Sequence, residues 1–100
     1  MSRYELAASA AADLLDILRY TKQKWGQPQV QRYREELELA MQRLSLAPEL
    51  GRKRDTIATG LLSSTVAQHV AFYIRRKDRI VIVRILHPRR NVDEAFEEDR

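Results

Sequence analysis

The segment Ile80–Leu86 is the sequence feature that most constrains the fold. Its seven residues are six aliphatic residues and one arginine, Arg84. Nearly continuous hydrophobicity of this length predicts a central strand that is buried on both faces. Because side chains alternate along a strand, Arg84 is predicted to share one sheet face with Ile82 and Leu86. The rest of the chain must supply the structure that covers this strand.

Two amphipathic stretches earlier in the chain predict a helical hairpin. The first runs from residue 7 to about residue 25, and Leu15 and Leu18 add a second apolar strip beside its main stripe. Gly26 is expected to end this helix, and Pro28 suits the first turn of the next. A link this short predicts antiparallel helices. The expected buried positions are Ala10, Leu14, Ile17 and Thr21 in the first helix and Val30, Tyr33, Leu37, Ala40, Met41 and Leu44 in the second.

The other strand signals are shorter. Residues 3–6 alternate in polarity, residues 56–58 form a weak β-prone stretch, and residues 65–74 form a longer one. Residues 76–79 are all charged and predict a hairpin turn before the last strand. The element order is therefore β-α-α-β-β-β. This order predicts an α+β fold in which an antiparallel helical hairpin packs on one face of a mainly antiparallel sheet.

Length and composition limit the class of protein. One hundred residues suffice for one domain, which we assign to residues 1–91, followed by an acidic tail at 92–100 that is either a short helix or disordered. The absence of cysteine excludes disulfides and thiolate metal sites, and His69 and His87 lack ligand-like spacing. We therefore expect no metal and no cofactor. The N-terminus has no signal-peptide pattern and no apolar run could span a bilayer, so a cytoplasmic location without membrane contact is expected.

The charge comes mainly from arginine. The formal net charge is +4, with 14 arginines among the 18 basic residues. A basic surface favours acidic partners, either nucleic acid or an acidic protein segment. A surface that is only solvated remains an equally good interpretation of the charge alone.

Several motifs in order along the chain resemble the ParE branch of the RelE/ParE toxins, which belong to type II toxin–antitoxin systems. The resemblance covers roughly residues 3–91. It rests on Ala12-Asp13-Leu14, Tyr20-Thr21 followed by Trp25-Gly26, Leu46 to Arg52, Gln68 to Tyr73, and Ile82 to His87.

Two departures from the family pattern are visible. The family often begins the first helix with Ser-Pro, where this chain has Ala7-Ala8, which leaves open a later helix start with Ser9 as the cap. After the last strand the family usually reads His-x-Arg-Met-Asp, whereas this chain has His87-Pro88-Arg89-Arg90-Asn91. The resemblance therefore does not predict which contacts residues 87–91 make.

The resemblance implies a toxin that inhibits DNA gyrase by binding, without catalytic residues of its own. The expected target-binding residues are Arg84, His87, Arg89 and Arg90. The alternative is a ribosome-dependent mRNA endonuclease of the RelE type, for which the candidate catalytic residues are Arg54, Arg84 and His87. A toxin homologue that is inert or has another target is a third possibility. Each candidate also has a structural interpretation, such as an ion pair for Arg84 or a backbone hydrogen bond for His87. His69, on a strand face with Ala71 and Tyr73, is expected to have a structural role.

The resemblance also implies a protein partner. ParD-like antitoxins bind DNA through their N-terminal part and wrap the toxin with a C-terminal segment, which gives a toxin–antitoxin hetero-oligomer. Leu15, Leu18 and Arg19 suit an acidic amphipathic segment of this kind. The alternative is that the second apolar strip is part of a broad core contact.

Overall fold

The computed structural model describes residues 3–97, and within them it contains five strands and three α-helices. Helices α1 and α2 form an antiparallel hairpin on one face of the sheet, which confirms the predicted α+β class. A single 3₁₀ turn at Pro48–Leu50 follows the hairpin. The elements are β1 (Tyr4–Leu6), α1 (Ala8–Trp25), α2 (Gln27–Leu46), β2 (Arg52–Lys53), β3 (Leu62–Val66), β4 (His69–Arg75), β5 (Ile80–Leu86) and α3 (Val92–Glu97).

The sheet has the strand order β1-β5-β4-β3-β2. Strand β1 pairs with β5 in parallel, and the other three pairings are antiparallel. The aliphatic strand β5 therefore lies between two neighbours, as predicted, and the sheet is mainly antiparallel. The larger core fills the space between this sheet and the helical hairpin, with Leu37, Met41, Tyr73, Ile80 and Ile82 at most 1% exposed.

The second face of the sheet is covered by the C-terminal helix α3. Its Ala95 is fully buried with Leu61, Phe72 and Leu86, and the Phe96 ring lies edge-on to Phe72 with 5.3 Å between ring centroids. This cover explains why β5 is apolar on both sides. Of the two alternatives predicted for the tail, residues 92–97 adopt the helix, while 98–100 lie outside the described residues.

A β-bulge in the central strand changes the predicted orientation of Arg84. Tyr73 pairs with Ile82, whereas the preceding Phe72 pairs with Arg84, so β5 holds one extra residue. The alternation of side chains is shifted after this point. Ile82 packs in the core between the sheet and the helical hairpin. Leu86 and Phe72, which pairs with Arg84, pack in the core under α3. Arg84 therefore shares its face with Leu86 but not with Ile82.

Two strand predictions were wrong. Residues 56–58 form a turn in which the Arg54 carbonyl accepts hydrogen bonds from the Ile57 and Ala58 N–H groups, and the edge strand is Arg52–Lys53. The predicted strand 65–74 is the end of β3 and most of β4, separated by a two-residue turn with a positive φ of 55° at Ala67. Alanine rarely adopts this conformation, so the sequence carried no turn signal there.

The buried stripes of the two long helices agree with the prediction. The predicted positions are buried or partly buried against the larger core, except Val30 and Thr21. These two are also buried, but they lie outside that cluster. Helix α1 begins at Ala8 and has Ala7 as its N-cap without a side-chain cap bond, so the later start at Ser9 is not adopted. Within residues 3–97, no helix combines the length and apolar character needed to cross a membrane.

Candidate functional site

A groove lies beside the end of the central strand, where α1 and α2 cover the start of β4 and the end of β5. Its volume is about 450 Å³, within the usual range of ligand-binding clefts. Aromatic, imidazole and charged side chains from four parts of the chain meet there. The lining includes Asp16, Ile17, Tyr20 and Trp25 from α1, Gln29, Tyr33 and Glu36 from α2, and His69, Leu86, His87 and Arg90 from the sheet end.

A buried tyrosine fixes one histidine of the groove. The Tyr33 hydroxyl accepts a hydrogen bond from the Gln68 N–H at 3.1 Å and lies 2.6 Å from Nδ1 of His69. Burial raises the pKa of Tyr33, so the phenol stays protonated. Because its oxygen already accepts from Gln68, it donates a hydrogen bond to Nδ1 of His69. Burial, and next the neighbouring His87, lower the pKa of His69, which therefore presents a neutral ring to the groove.

The second histidine lies at the mouth of the groove. His87 is exposed, and its ring is edge-on to that of His69 with 6.0 Å between centroids. Its Nδ1 accepts a hydrogen bond from the Arg89 N–H at 3.1 Å, and its carbonyl accepts one from the Arg90 N–H at 3.0 Å. These bonds hold the segment after β5 in a tight turn, which places His87 and Arg90 in the groove and leaves Arg89 exposed beside it.

Arg84 has a structural position rather than an accessible one. Only 6% of its side chain is exposed, and its Nε and Nη2 donate to the two carboxylate oxygens of Asp13 at 2.8 and 3.0 Å. Its Nη1 donates to the Ala95 carbonyl at 2.7 Å. Arg84 thus joins α1, β5 and α3. The expectation that it contacts a target directly needs correction, because a buried guanidinium in a bidentate pair has little surface left for another molecule.

The three residues considered for mRNA cleavage are not presented together. Arg54 donates through Nε to the Ser63 hydroxyl at 2.9 Å and lies over the Phe72 ring, 5.7 Å from its centroid. Phe72 belongs to the core under α3, on the sheet face opposite the helical hairpin. Arg54 therefore faces away from the groove that holds His87, while Arg84 is buried between α1 and α3.

The surface predicted for a protein partner is narrower than expected. Leu15 is 50% exposed and Arg19 is exposed, whereas Leu18 is only 6% exposed. Leu18 therefore follows the alternative interpretation, a core contact, and offers little area to a partner. Sequence reasoning also missed two exposed aromatic side chains of α1, Tyr20 at 59% and Trp25 at 66%, which it used only as family markers.

Tyr33 and Gln68 are among the groove residues that the sequence pattern did not assign to a site. Tyr33 was placed only in the buried stripe of α2, and Gln68 only in a motif. Their hydrogen bonds to each other and to His69 connect positions 35 and 36 residues apart. No local pattern encodes such a contact, so the only signal was the family resemblance around Gln68 and His69.

Comparison with known proteins places these features in a family. The family model of the ParE toxin of the type II toxin–antitoxin system parDE matches residues 4–92. Toxin ParE1 of Mycobacterium tuberculosis is 37% identical over 93 residues, covering 92% of this chain and 95% of that protein. Toxin ParE1 of Caulobacter vibrioides is 34% identical over 91 residues, covering 91% and 94%.

A third relative supports this assignment, and one solved structure shares the fold. Toxin ParE of Escherichia coli is 34% identical over 90 residues, covering 89% of this chain and 87% of that protein. A chain from the structure of the chromosomal ParDE TA system from P. aeruginosa shares the fold, with a TM-score of 0.72 at 20% identity over 87% of this chain and 96% of that one. This chain belongs to the ParE toxin family of type II toxin–antitoxin systems.

Proposed function

We propose that this protein is a toxin that inhibits DNA gyrase by binding it and is neutralised by a ParD-like antitoxin. Family membership supports the toxin role. The observation that favours binding over cleavage is the burial of Arg84 in its ion pair with Asp13. Arg84 was a candidate both for catalysis and for target binding. Its burial removes a cation that cleavage would need, whereas binding can use the other exposed residues.

Cleavage of mRNA depends on several groups acting on one phosphate. A base, an acid and cations must lie within hydrogen-bond distance of the reacting atoms. Of the proposed catalytic set, Arg84 is neutralised by a carboxylate and Arg54 faces the other side of the sheet. Only His87 remains accessible at the groove, which makes a nuclease of the RelE type the weaker proposal.

Inhibition by binding needs only a complementary surface. The exposed or groove-lining residues His87, Arg89 and Arg90 follow directly after the central strand. Gyrase works on DNA, so a cationic segment would meet negative charge in the target complex. In this proposal Arg84 acts indirectly, since its bonds to Asp13 and Ala95 position the strand end that carries the three residues.

The proposal predicts graded effects on gyrase. The purified protein should inhibit gyrase supercoiling and should not cut mRNA on ribosomes. The double change Arg89→Ala and Arg90→Ala should weaken inhibition by about twofold to 30-fold, because exposed charge contacts contribute about 0.2–1 kcal/mol each. This loss should shrink at high salt. His87→Ala should have a smaller effect, and the matched variant Arg32→Ala with Arg34→Ala, on α2, should leave inhibition unchanged.

The opposite pattern would identify a nuclease. In that case His87→Ala should reduce cleavage by about 100-fold or more with little change in binding, as expected for loss of a general acid or base. Ribosome-dependent cleavage that disappears in His87→Ala, together with normal supercoiling, would show that the gyrase proposal is wrong. A protein with neither activity would point to a different target.

The antitoxin surface is proposed on the outer side of α1. Leu15 and Arg19 are one helical turn apart, so both can contact the same partner helix or strand. Leu15 offers an apolar anchor, and Arg19 suits an acidic residue beside it. An antitoxin segment that binds here would order on binding and produce a toxin–antitoxin hetero-oligomer.

Leu15→Asp should therefore weaken antitoxin binding while the toxin stays folded. An apolar anchor in an interface typically contributes about 2 kcal/mol or more, which corresponds to about 30-fold in affinity. Leu39→Asp, on α2, is the matched control because Leu39 is 48% exposed and Leu15 is 50% exposed. Calorimetric titration with the cognate antitoxin measures both variants. Equal affinities for Leu15→Asp and the unsubstituted protein would refute the surface.

A further inference from the structure

The turn between β4 and β5 presents a group of cations at the end of the sheet opposite the groove. Residues 75–79 read Arg-Arg-Lys-Asp-Arg, and all five are exposed. The Arg76 N–H donates to the Arg79 carbonyl at 2.8 Å, and Arg75 pairs with Ile80. The turn is therefore a regular hairpin end. We call Arg75, Arg76 and Lys77 the cationic tip.

The carboxylates near this turn are already paired with other cations. Arg79 binds Glu5 at 2.7 Å and Asp78 at 2.9 Å, and Arg3 lies 4.0 Å from Asp78. Within residues 3–97, none of the three residues of the cationic tip has a carboxylate oxygen within 4.0 Å of its charged nitrogens. Among residues 3–97, the tip therefore keeps three positive charges that no carboxylate pairs with.

The basic surface continues across the sheet. Lys53, on the edge strand β2, is exposed. It pairs with Leu62, which pairs with Tyr73, so Lys53 and Tyr73 lie at the same position along their strands. With strands about 4.8 Å apart, the backbone of Lys53 lies about 10 Å to the side of β4. Arg52, beside it, is also exposed. A partner approaching the tip would meet these two charges as well.

The composition of the tip indicates which partner it fits. Residues 75–79 contain no apolar or aromatic side chain. Protein partners usually need apolar or aromatic anchors, and single-stranded nucleic acids usually stack their bases on aromatic rings. The backbone of duplex DNA requires only cations placed near its phosphates, and arginine suits phosphate especially well. We propose that the cationic tip binds the phosphate backbone of duplex DNA.

The test is the salt dependence of binding to a free duplex. The full-length protein is titrated against a labelled duplex of mixed sequence, about 24 base pairs long, by fluorescence anisotropy between about 50 and 200 mM salt. The variant with Arg75, Arg76 and Lys77 all changed to alanine should bind at least about tenfold more weakly, and its log–log salt slope should be about 2–3 smaller, since each phosphate contact contributes about 0.9. The matched variant changes Arg32, Arg34 and Arg43, on α2, to alanine and has the same net charge.

The two variants distinguish a DNA contact made by the cationic tip from an effect of net charge. Loss of slope in the tip variant alone supports the proposal, with unchanged thermal unfolding as evidence that the variant is folded. Equal losses in both variants would mean that net charge alone governs binding, and no loss in the tip variant would mean that DNA lies elsewhere. Either result, or no binding at the lowest salt concentration, overturns the proposal. Because the assay contains no gyrase, its outcome is independent of the proposed target.

Discussion

Replacing Asp13 by alanine should lower the free energy of unfolding by about 3–5 kcal/mol, the usual cost of leaving one partner of a buried ion pair uncompensated. The Asp13 carboxylate accepts hydrogen bonds from two nitrogens of Arg84 and, at 2.9 Å, from the Ile85 N–H. Only 12% of the Asp13 side chain and 6% of the Arg84 side chain are exposed. Without the carboxylate, the Arg84 guanidinium loses its counter-charge and the Ile85 N–H loses its acceptor.

Urea unfolding followed by far-UV circular dichroism measures this effect. Trp25 fluorescence is a poor reporter because this side chain is 66% exposed in the folded protein. Asp16→Ala is the control, since Asp16 lies on the same helix but is exposed, and its removal should change stability by less than about 0.5 kcal/mol. The double variant Asp13→Leu with Arg84→Met should recover much of the loss, because an apolar pair leaves no buried charge. Similar stabilities for Asp13→Ala and Asp16→Ala would contradict the assigned role of Asp13.

Gly51→Ala should lower the free energy of unfolding by about 2–4 kcal/mol through the ring of Tyr73. The φ and ψ of Gly51 are −66° and 150°, which any residue adopts, so the backbone is not the cause. A Cβ at this position would lie 2.7 Å from Cζ of Tyr73 and in closer contact still with its hydroxyl. The ring is fully buried, and its hydroxyl donates to the Pro48 carbonyl at 2.7 Å, so it has no free space to move into.

Two comparisons isolate this contact. Gly60→Ala should cost only about 1–2 kcal/mol. Gly60 has a positive φ of 82°, but among the described residues no atom beyond Gly60 and its two chain neighbours lies within 4 Å of the place that a methyl group would occupy. In a Tyr73→Phe background the hydroxyl is absent, so Gly51→Ala should cost less than it does alone. An equal cost of Gly51→Ala in both backgrounds would mean that the phenol is not the obstacle.

The sequence predicted the elements whose periodicity was long and regular. The stripes of α1 and α2 followed from the regular spacing of apolar residues, and the central position of β5 followed from its nearly continuous hydrophobicity. The hairpin at Ala67 was missed because a positive φ is normally marked by glycine or asparagine, and alanine carries no such mark. The edge strand β2 is two residues long, and a signal of that length does not stand out from a loop.

The candidate site was harder to predict because it depends on contacts between distant residues. Arg84 was recognised as a residue that could pair with a carboxylate, but its partner lies 71 positions earlier in the chain. The bulge at Phe72 and Tyr73 also changed which residues share its face. Leu15 and Leu18 looked equivalent on the helix, and only the packing of α1 distinguished the exposed one from the buried one.

The short length of β1 has a consequence for self-association. Its three residues pair with Ile80, Val81 and Ile82, so among the described residues no strand accompanies the last part of β5 on that side. Such an open edge next to aliphatic side chains is a template on which a second molecule can add a strand. The Asp13 carboxylate accepts the hydrogen bond of the Ile85 N–H at this edge, so an incoming backbone cannot pair with that donor. We therefore expect this one side chain of α1 to hinder strand addition at the part of the edge that β1 leaves uncovered.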